Sequence, residues 1–147
     1  MEKTRKNLKE YSIVVLAFIA LTVIKAIVGI CINGLPQANE IPEGMTRELA
    51  QMITTIAFAL SFVVLIPQIY VGVKGLKIAN DPETSVKAYL VWTAILAVLA
   101  AISTINEISQ LVKAFSAERL LDLVYPAVDT LLFACCFVSA RKIANAR

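Results

Sequence analysis

Four long apolar stretches, separated by short polar clusters, set the pattern of the chain. Residues 12–32 are apolar apart from a few small or polar positions and Lys25. Residues 49–73 form a second run that holds Pro67 and Gln68. Residues 88–105 are a third, and 120–140 a fourth, interrupted by Asp122, Pro126 and Asp129. Each run is near or above the roughly 18 residues that mark a membrane-spanning helix. Within a bilayer every backbone polar group must be paired inside its own segment, which favours helices. Continuous apolar runs also lack the strict alternation of a membrane barrel. The pattern therefore predicts an all-α polytopic membrane protein. It is expected to be a single bundle of four transmembrane helices in one domain, 1–147, with spans at about 12–33, 47–79, 86–107 and 117–141.

The boundaries carry their own signals. Asn33-Gly34, with Pro36 close behind, can end the first helix through a left-handed residue. Thr46 is suited to cap the second, with Glu48 favourable in its first turn. Asn80-Asp81-Pro82 ends the second helix, and Asp81 is expected to cap the third with Pro82 at its first position. Ser116 can cap the fourth, with Glu118 in its first turn. The chain shows no internal repeat and no low-complexity tract.

Composition agrees with a membrane setting. Of 147 residues, 59% are hydrophobic and 17% charged, and the mean hydropathy is +0.76. A soluble domain would sit near 45–50% apolar and about 25% charged, and a disordered chain needs low hydrophobicity. The chain has no His, which removes the commonest acid-base side chain and metal ligand. Its three cysteines, Cys31, Cys135 and Cys136, include no CxxC pair, so neither a disulfide framework nor a zinc site is indicated. They read as small buried apolar residues.

Charge placement adds an orientation. The N-terminal tail carries Lys3, Arg5, Lys6 and Lys9. The second connection carries Lys74, Lys77 and Lys87, and the C-terminal tail Arg141, Lys142 and Arg147. The first and third connections hold Arg47, Lys113 and Arg119, so the asymmetry is ten to three. The positive-inside rule then predicts both termini in the cytoplasm, with anionic lipid the expected partner of that face. The first span reads as retained. Its apolar stretch exceeds the roughly 7–15 residues of a signal peptide, and Ile30, not a small residue, precedes Cys31.

The ionisable and polar residues inside the spans are the functional candidates: Lys25, Asp122, Asp129, Gln68 and Glu107. A Lys at depth costs about 2.5–3.5 kcal/mol on insertion scales. It is offset either by snorkelling of the stem to the interface or by pairing with an acid. Asp122 and Asp129 are two helical turns apart and share a face, with Pro126 between them. Counted back from Ala140, Asp129 falls at roughly 16 Å and Asp122 at roughly 27 Å, while Lys25 lies at about 21 Å by the same measure. Lys25 could therefore pair with either. Pro67 and Pro126 are expected helix kinks. Each span also carries a stripe of small or polar residues that suits close helix packing: Thr22, Lys25 and Gly29; Ser61, Gln68, Gly72 and Gly75; Thr93, Ala97, Ala100 and Thr104.

Ile66-Pro67-Gln68-Ile69 resembles the Pro-Gln signature of the PQ-loop transporters, carriers of sugars, amino acids and related solutes built from three-helix units. The resemblance implies that the three spans after Thr46 form one such unit, preceded here by an additional span. The stretch from Pro67 to Trp92, with Val-Lys-Gly-Leu-Lys, then Asn-Asp-Pro and a Trp-led span, is similar in pattern to small four-span membrane proteins of Gram-positive bacteria. That resemblance implies no particular activity and carries no functional residues over. Small multidrug transporters are comparable in size but use a Glu in the first span, where this chain has none.

No triad, HExxH or phosphate loop is present, and the adjacent Cys135 and Cys136 project in different directions, so enzymatic function is not expected. No cofactor is expected. The basic residues flank membrane helices, so nucleic-acid binding is not expected either. The reading that follows is a non-enzymatic accessory or interaction protein of a bacterial cytoplasmic membrane, working with a membrane protein partner or as a homo-oligomer. The alternative is a small oligomeric solute or proton-coupled transporter that uses Lys25 and Asp129.

Overall fold

The computed structural model describes residues 2–37, 44–81, 83–113 and 115–146, with the backbone alone for Ala117, Glu118 and Leu121. The described residues form an all-α chain of four helices, α1 (Glu2–Asn33), α2 (Arg47–Asn80), α3 (Lys87–Lys113) and α4 (Ala117–Asn145). All four contain a segment long and apolar enough to cross a membrane.

The helix ends follow local chemistry. Gly34 adopts a left-handed φ of 75°, and its N–H donates to the Ile30 carbonyl at 2.9 Å, closing α1 as the Asn-Gly pair predicts. The Thr46 hydroxyl accepts from the Leu49 N–H at 3.3 Å ahead of α2. The Ser116 hydroxyl accepts from the Arg119 N–H at 3.2 Å at the start of α4. Both are the expected N-caps.

One helix extends beyond its expected span, and one cap differs from expectation. Helix α1 begins at Glu2, ahead of the expected span at about 12–33. The basic tail continues the helix because Leu8, Ser12 and Val15 are buried along one face, so the tail is tied down by packing rather than left to solvent. Asp81 does not cap α3. Its carboxylate accepts from the Glu83 N–H at 3.0 Å and the Thr84 hydroxyl at 2.7 Å, an Asx-type turn that uses up the capping oxygens locally. Helix α3 then starts at Lys87, and the Leu90 N–H donates to the Val86 carbonyl. Pro82, the expected first residue of α3, lies outside the described residues.

The chain divides into two compact units. One comprises Met1–Leu16 and Pro67–Arg147, the other Ala17–Ile66. In the first, α3 packs on α4. Buried residues recur at three- and four-residue spacing on every helix of this unit: Leu8, Ser12 and Val15; Val71, Gly72, Gly75, Ile78 and Ala79; Tyr89, Thr93 and Leu96; Phe133, Cys136, Ala140 and Ile143. That is the periodicity of one inward helical face. Among the described residues of the second unit, the buried hydrophobic side chains are Ile19 and Ala50. Its other features are local. The Gln51 side-chain amide donates to the Pro36 carbonyl at 2.9 Å, and Phe58 meets Phe62 edge-on with ring centroids 5.1 Å apart.

Candidate functional site

In the first unit the small-residue stripe of α2 sets the geometry. A Cβ on Gly72 would lie 2.6 Å from Cγ and Cδ2 of Leu16. A Cβ on Gly75 would collide with the Ser12 hydroxyl and lie 2.9 Å from the Tyr89 hydroxyl. Both glycines exist because α1 and the start of α3 press against the α2 backbone there. Around Gly75 the polar tips of three helices gather. Ser12 donates to the Leu8 carbonyl at 2.7 Å, and Thr93 to the Tyr89 carbonyl at 2.8 Å. The Tyr89 hydroxyl lies close to the Ser12 hydroxyl and the Cys136 thiol. It is fully buried yet makes no hydrogen bond of good geometry to any described residue. Sequence reading picked out Gly72, Gly75 and Thr93 but missed Ser12 and Tyr89. These residues converge only in three dimensions, and no within-helix signal marks them.

Further along the same unit, the Thr104 and Thr130 hydroxyls meet at 3.1 Å between α3 and α4. Each also lies within hydrogen-bond reach of its own helix, Thr104 at the Ala100 carbonyl and Thr130 at the Pro126 carbonyl. The acceptor that the missing Pro126 N–H leaves without its helical donor is the Asp122 carbonyl, one turn earlier, so the Thr130 bond does not replace it. Helices α2 and α4 run on through Pro67 and Pro126.

The candidate ionisable residues are distributed rather than gathered. Asp129, Glu107 and Gln68 are half-buried, and Asp122 is exposed. Among the described residues no group of three or more His, Cys, Asp or Glu side chains is placed to hold a metal ion. Cys136 is buried and Cys135 half-buried, as adjacent helical positions require, while Cys31 is exposed rather than buried. At the N-terminal end of this unit, Glu2, Lys3, Arg5, Lys6 and Lys9 line a cavity of about 650 Å³ together with Ala79 and Asn80 at the end of α2.

In the 17–66 unit, Thr22 and Lys25 are exposed and Gly29 is half-buried. This stripe of α1 lines an open cavity of about 660 Å³. Phe58 of α2 and the Asn33–Gln37 turn complete its wall.

Comparison with protein-family models, with curated proteins and with solved structures gives no match.

Proposed function

We propose that the chain is a non-enzymatic integral protein of a bacterial cytoplasmic membrane, acting as an accessory or interaction partner of another membrane protein. The observation that carries this reading is how the first unit uses its polar groups. Ser12 and Thr93 bond their own helix backbones. Thr104 and Thr130 tie α3 to α4. Gly72 and Gly75 bring helices close. These are the devices of a packed helix assembly. The outer face of α3 offers Val91, Trp92, Val98 and Ile102, all exposed, for lipid or for a partner's helix. The cavity at Lys3, Arg5, Lys6 and Lys9, where four cations outnumber the one acid Glu2, suits anionic lipid, which agrees with cytoplasmic termini under the ten-to-three charge asymmetry.

The second reading is an oligomeric solute or proton-coupled carrier using Lys25 and Asp129. What favours it is a carboxylic acid half-buried inside a membrane-length helix, since intramembrane acids often serve proton relays.

Extraction in mild detergent followed by native mass spectrometry tests the choice. A second chain in fixed ratio supports the accessory reading. A pure homo-oligomer whose pH-driven solute uptake in proteoliposomes is lost in Asp129→Asn supports the carrier. Topology is checked independently: a reporter active only in the cytoplasm works when fused after Arg147 and fails when inserted within 36–44.

A further inference from the structure

The cavity between the start of α1 and the end of α2 lies within the first unit. Its described lining holds four cations and one acid, Glu2. Among the described residues none of the four cations joins an ion pair, with Glu2 or with any other acid. They fall into two pairs on the helix surface. Lys3 and Lys6 are three residues apart, and Arg5 and Lys9 four. Positions at these spacings are neighbours, about 5–6 Å apart at Cβ. Arg5, one turn before the buried Leu8, is half-buried, and Lys3, Lys6 and Lys9 are exposed.

The surface beside the cavity is a second observation. On α1, Ile13 follows Lys9 by four residues. On α2, Val73 and Ile69 stand seven and eleven residues before Asn80. These spacings keep each set on one helical face, and all three apolar side chains are exposed. Lys77, also exposed, shares the α2 face between Asn80 and Val73. Each helix thus leads from the charged or polar wall of the cavity to bare apolar surface within a membrane-length segment.

We propose that this cavity binds one phospholipid carrying two phosphate groups, a diphosphatidylglycerol. One phosphate sits at Lys3 and Lys6, the other at Arg5 and Lys9, and the acyl chains lie along Ile13 of α1 and Val73 and Ile69 of α2. Charge selects two phosphates over one. The described lining carries three net positive charges; a single phosphodiester leaves two of them unmatched, and a pair leaves one. Bonds from ammonium and guanidinium groups to phosphate are charge-assisted, and basic pockets between membrane helices suit such headgroups. At about 650 Å³ the cavity falls in the roughly 300–1,000 Å³ range of small-molecule sites, which suits a headgroup whose chains lie outside it. The bare apolar faces favour a lipid over a soluble polyphosphate. The proposal deepens the reading of anionic lipid at this end of the chain and rests on the helices spanning the bilayer.

The test uses the full chain in detergent micelles. Bound diphosphatidylglycerol, phosphatidylglycerol or phosphatidylcholine is measured by native mass spectrometry at equal phosphate concentration. The wild-type protein retains one diphosphatidylglycerol per chain, at least about tenfold better than phosphatidylglycerol, as a second charge-assisted contact requires. Lys3→Gln with Lys6→Gln removes one pair and lowers diphosphatidylglycerol retention to the phosphatidylglycerol level, while phosphatidylglycerol stays above phosphatidylcholine. Arg5→Gln with Lys9→Gln does the same from the other pair. Lys113→Gln, at a cation outside the cavity, leaves retention as in the wild type. Inorganic pyrophosphate, with two phosphates and no chains, leaves the lipid in place at millimolar concentration. Circular dichroism confirms that each variant is folded. If the Arg5 and Lys9 variant does not fold, the exposed pair of Lys3 and Lys6 decides alone. Equal retention of the two anionic lipids, unchanged retention in the Lys3 and Lys6 variant, an equal loss in Lys113→Gln, or displacement by pyrophosphate overturns the proposal. A carbonate wash of the source membranes separates the two levels of failure. Protein released into the supernatant refutes the spanning reading, while protein that stays in the membrane without preference for the two-phosphate lipid refutes this site alone.

Discussion

The two units share the helices α1 and α2 but treat glycine in opposite ways. In the unit of Met1–Leu16 and Pro67–Arg147, Gly72 and Gly75 are where Leu16, Ser12 and Tyr89 come against α2, and no larger residue fits without movement. In the Ala17–Ile66 unit, Gly29 faces open space, and Gly34 is there for its left-handed backbone. The first unit buries residues on all its helices, and the second mainly Ile19 and Ala50. A stripe of small residues in a membrane-length helix therefore has two meanings. It marks close packing when bulky or polar tips from other helices press on it, and an open groove when they do not. The substitutions below break or sharpen that contrast.

The largest effect is expected at Gly75. Gly75→Ala places a methyl group against the Ser12 hydroxyl and 2.9 Å from the Tyr89 hydroxyl. Overpacking of this kind costs about 1–3 kcal/mol, read as a lower midpoint for unfolding by SDS in mixed micelles. The cause is checked by repeating the change in a Ser12→Ala background, which removes the nearest obstructing atom. The cost should fall there, as coupled neighbours require. Equal costs in both backgrounds would show that the contact is not what Gly75 protects.

Tyr89→Phe comes next. The hydroxyl is buried without a hydrogen bond of good geometry to any described residue, and a buried polar group left unsatisfied costs about 1–3 kcal/mol. Deleting it should be neutral or stabilise the protein by up to about 1 kcal/mol. Destabilisation by a similar amount would mean that the hydroxyl is bonded in the membrane, and the Gly75 cluster would then be a connected network rather than a packing site.

Thr104→Val probes the same unit farther along α3. It removes the hydroxyl that meets Thr130 at 3.1 Å while keeping the shape of the side chain. Interhelical hydrogen bonds in membranes average about 0.6 kcal/mol, and a loss of that size is expected. A much larger loss would point to a role for the Thr104–Thr130 pair in setting the α3–α4 register.

Much of this architecture is legible in the sequence. Apolar runs located four helices because a spanning segment has to be continuous. Thr46, Ser116 and Gly34 could be read because caps depend on one residue and its immediate neighbours. Asp81 was misread because an aspartate before a helix serves either a cap or an Asx turn, and Thr84 tipped the choice. The helical tail from Glu2 was missed because its apolar anchors, Leu8 and Val15, flank Ser12 among charged residues. The site was less legible still. Gly75, Ser12 and Tyr89 come from three helices, so no periodicity within one helix connects them. The stripe of Thr22, Lys25 and Gly29 was visible, but its lining of a cavity rather than a packed seam depends on what faces it.

The smallest effect is expected at Gly29, and its smallness is the informative result. Gly29→Ala is the same chemical change as Gly75→Ala, made in a helix of comparable length. Its added methyl meets nothing within 4 Å, and Gly29 has no positive φ that a side chain would strain. Away from packing contacts, substitutions change stability by less than about 0.5 kcal/mol, and the greater helix propensity of Ala inclines the sign toward stabilisation. The measurement is the SDS midpoint used for Gly75→Ala, in the same micelles, so that the difference between the two variants is read directly. A gap of about 1 kcal/mol or more, with Gly75→Ala the weaker protein, follows from one glycine being pressed and the other open. A comparable loss at Gly29 would mean that a helix or a tightly held lipid occupies the groove in the membrane. Repeating the titration after delipidation then separates those occupants: a loss that disappears with the lipid assigns the contact to lipid, and one that persists assigns it to protein.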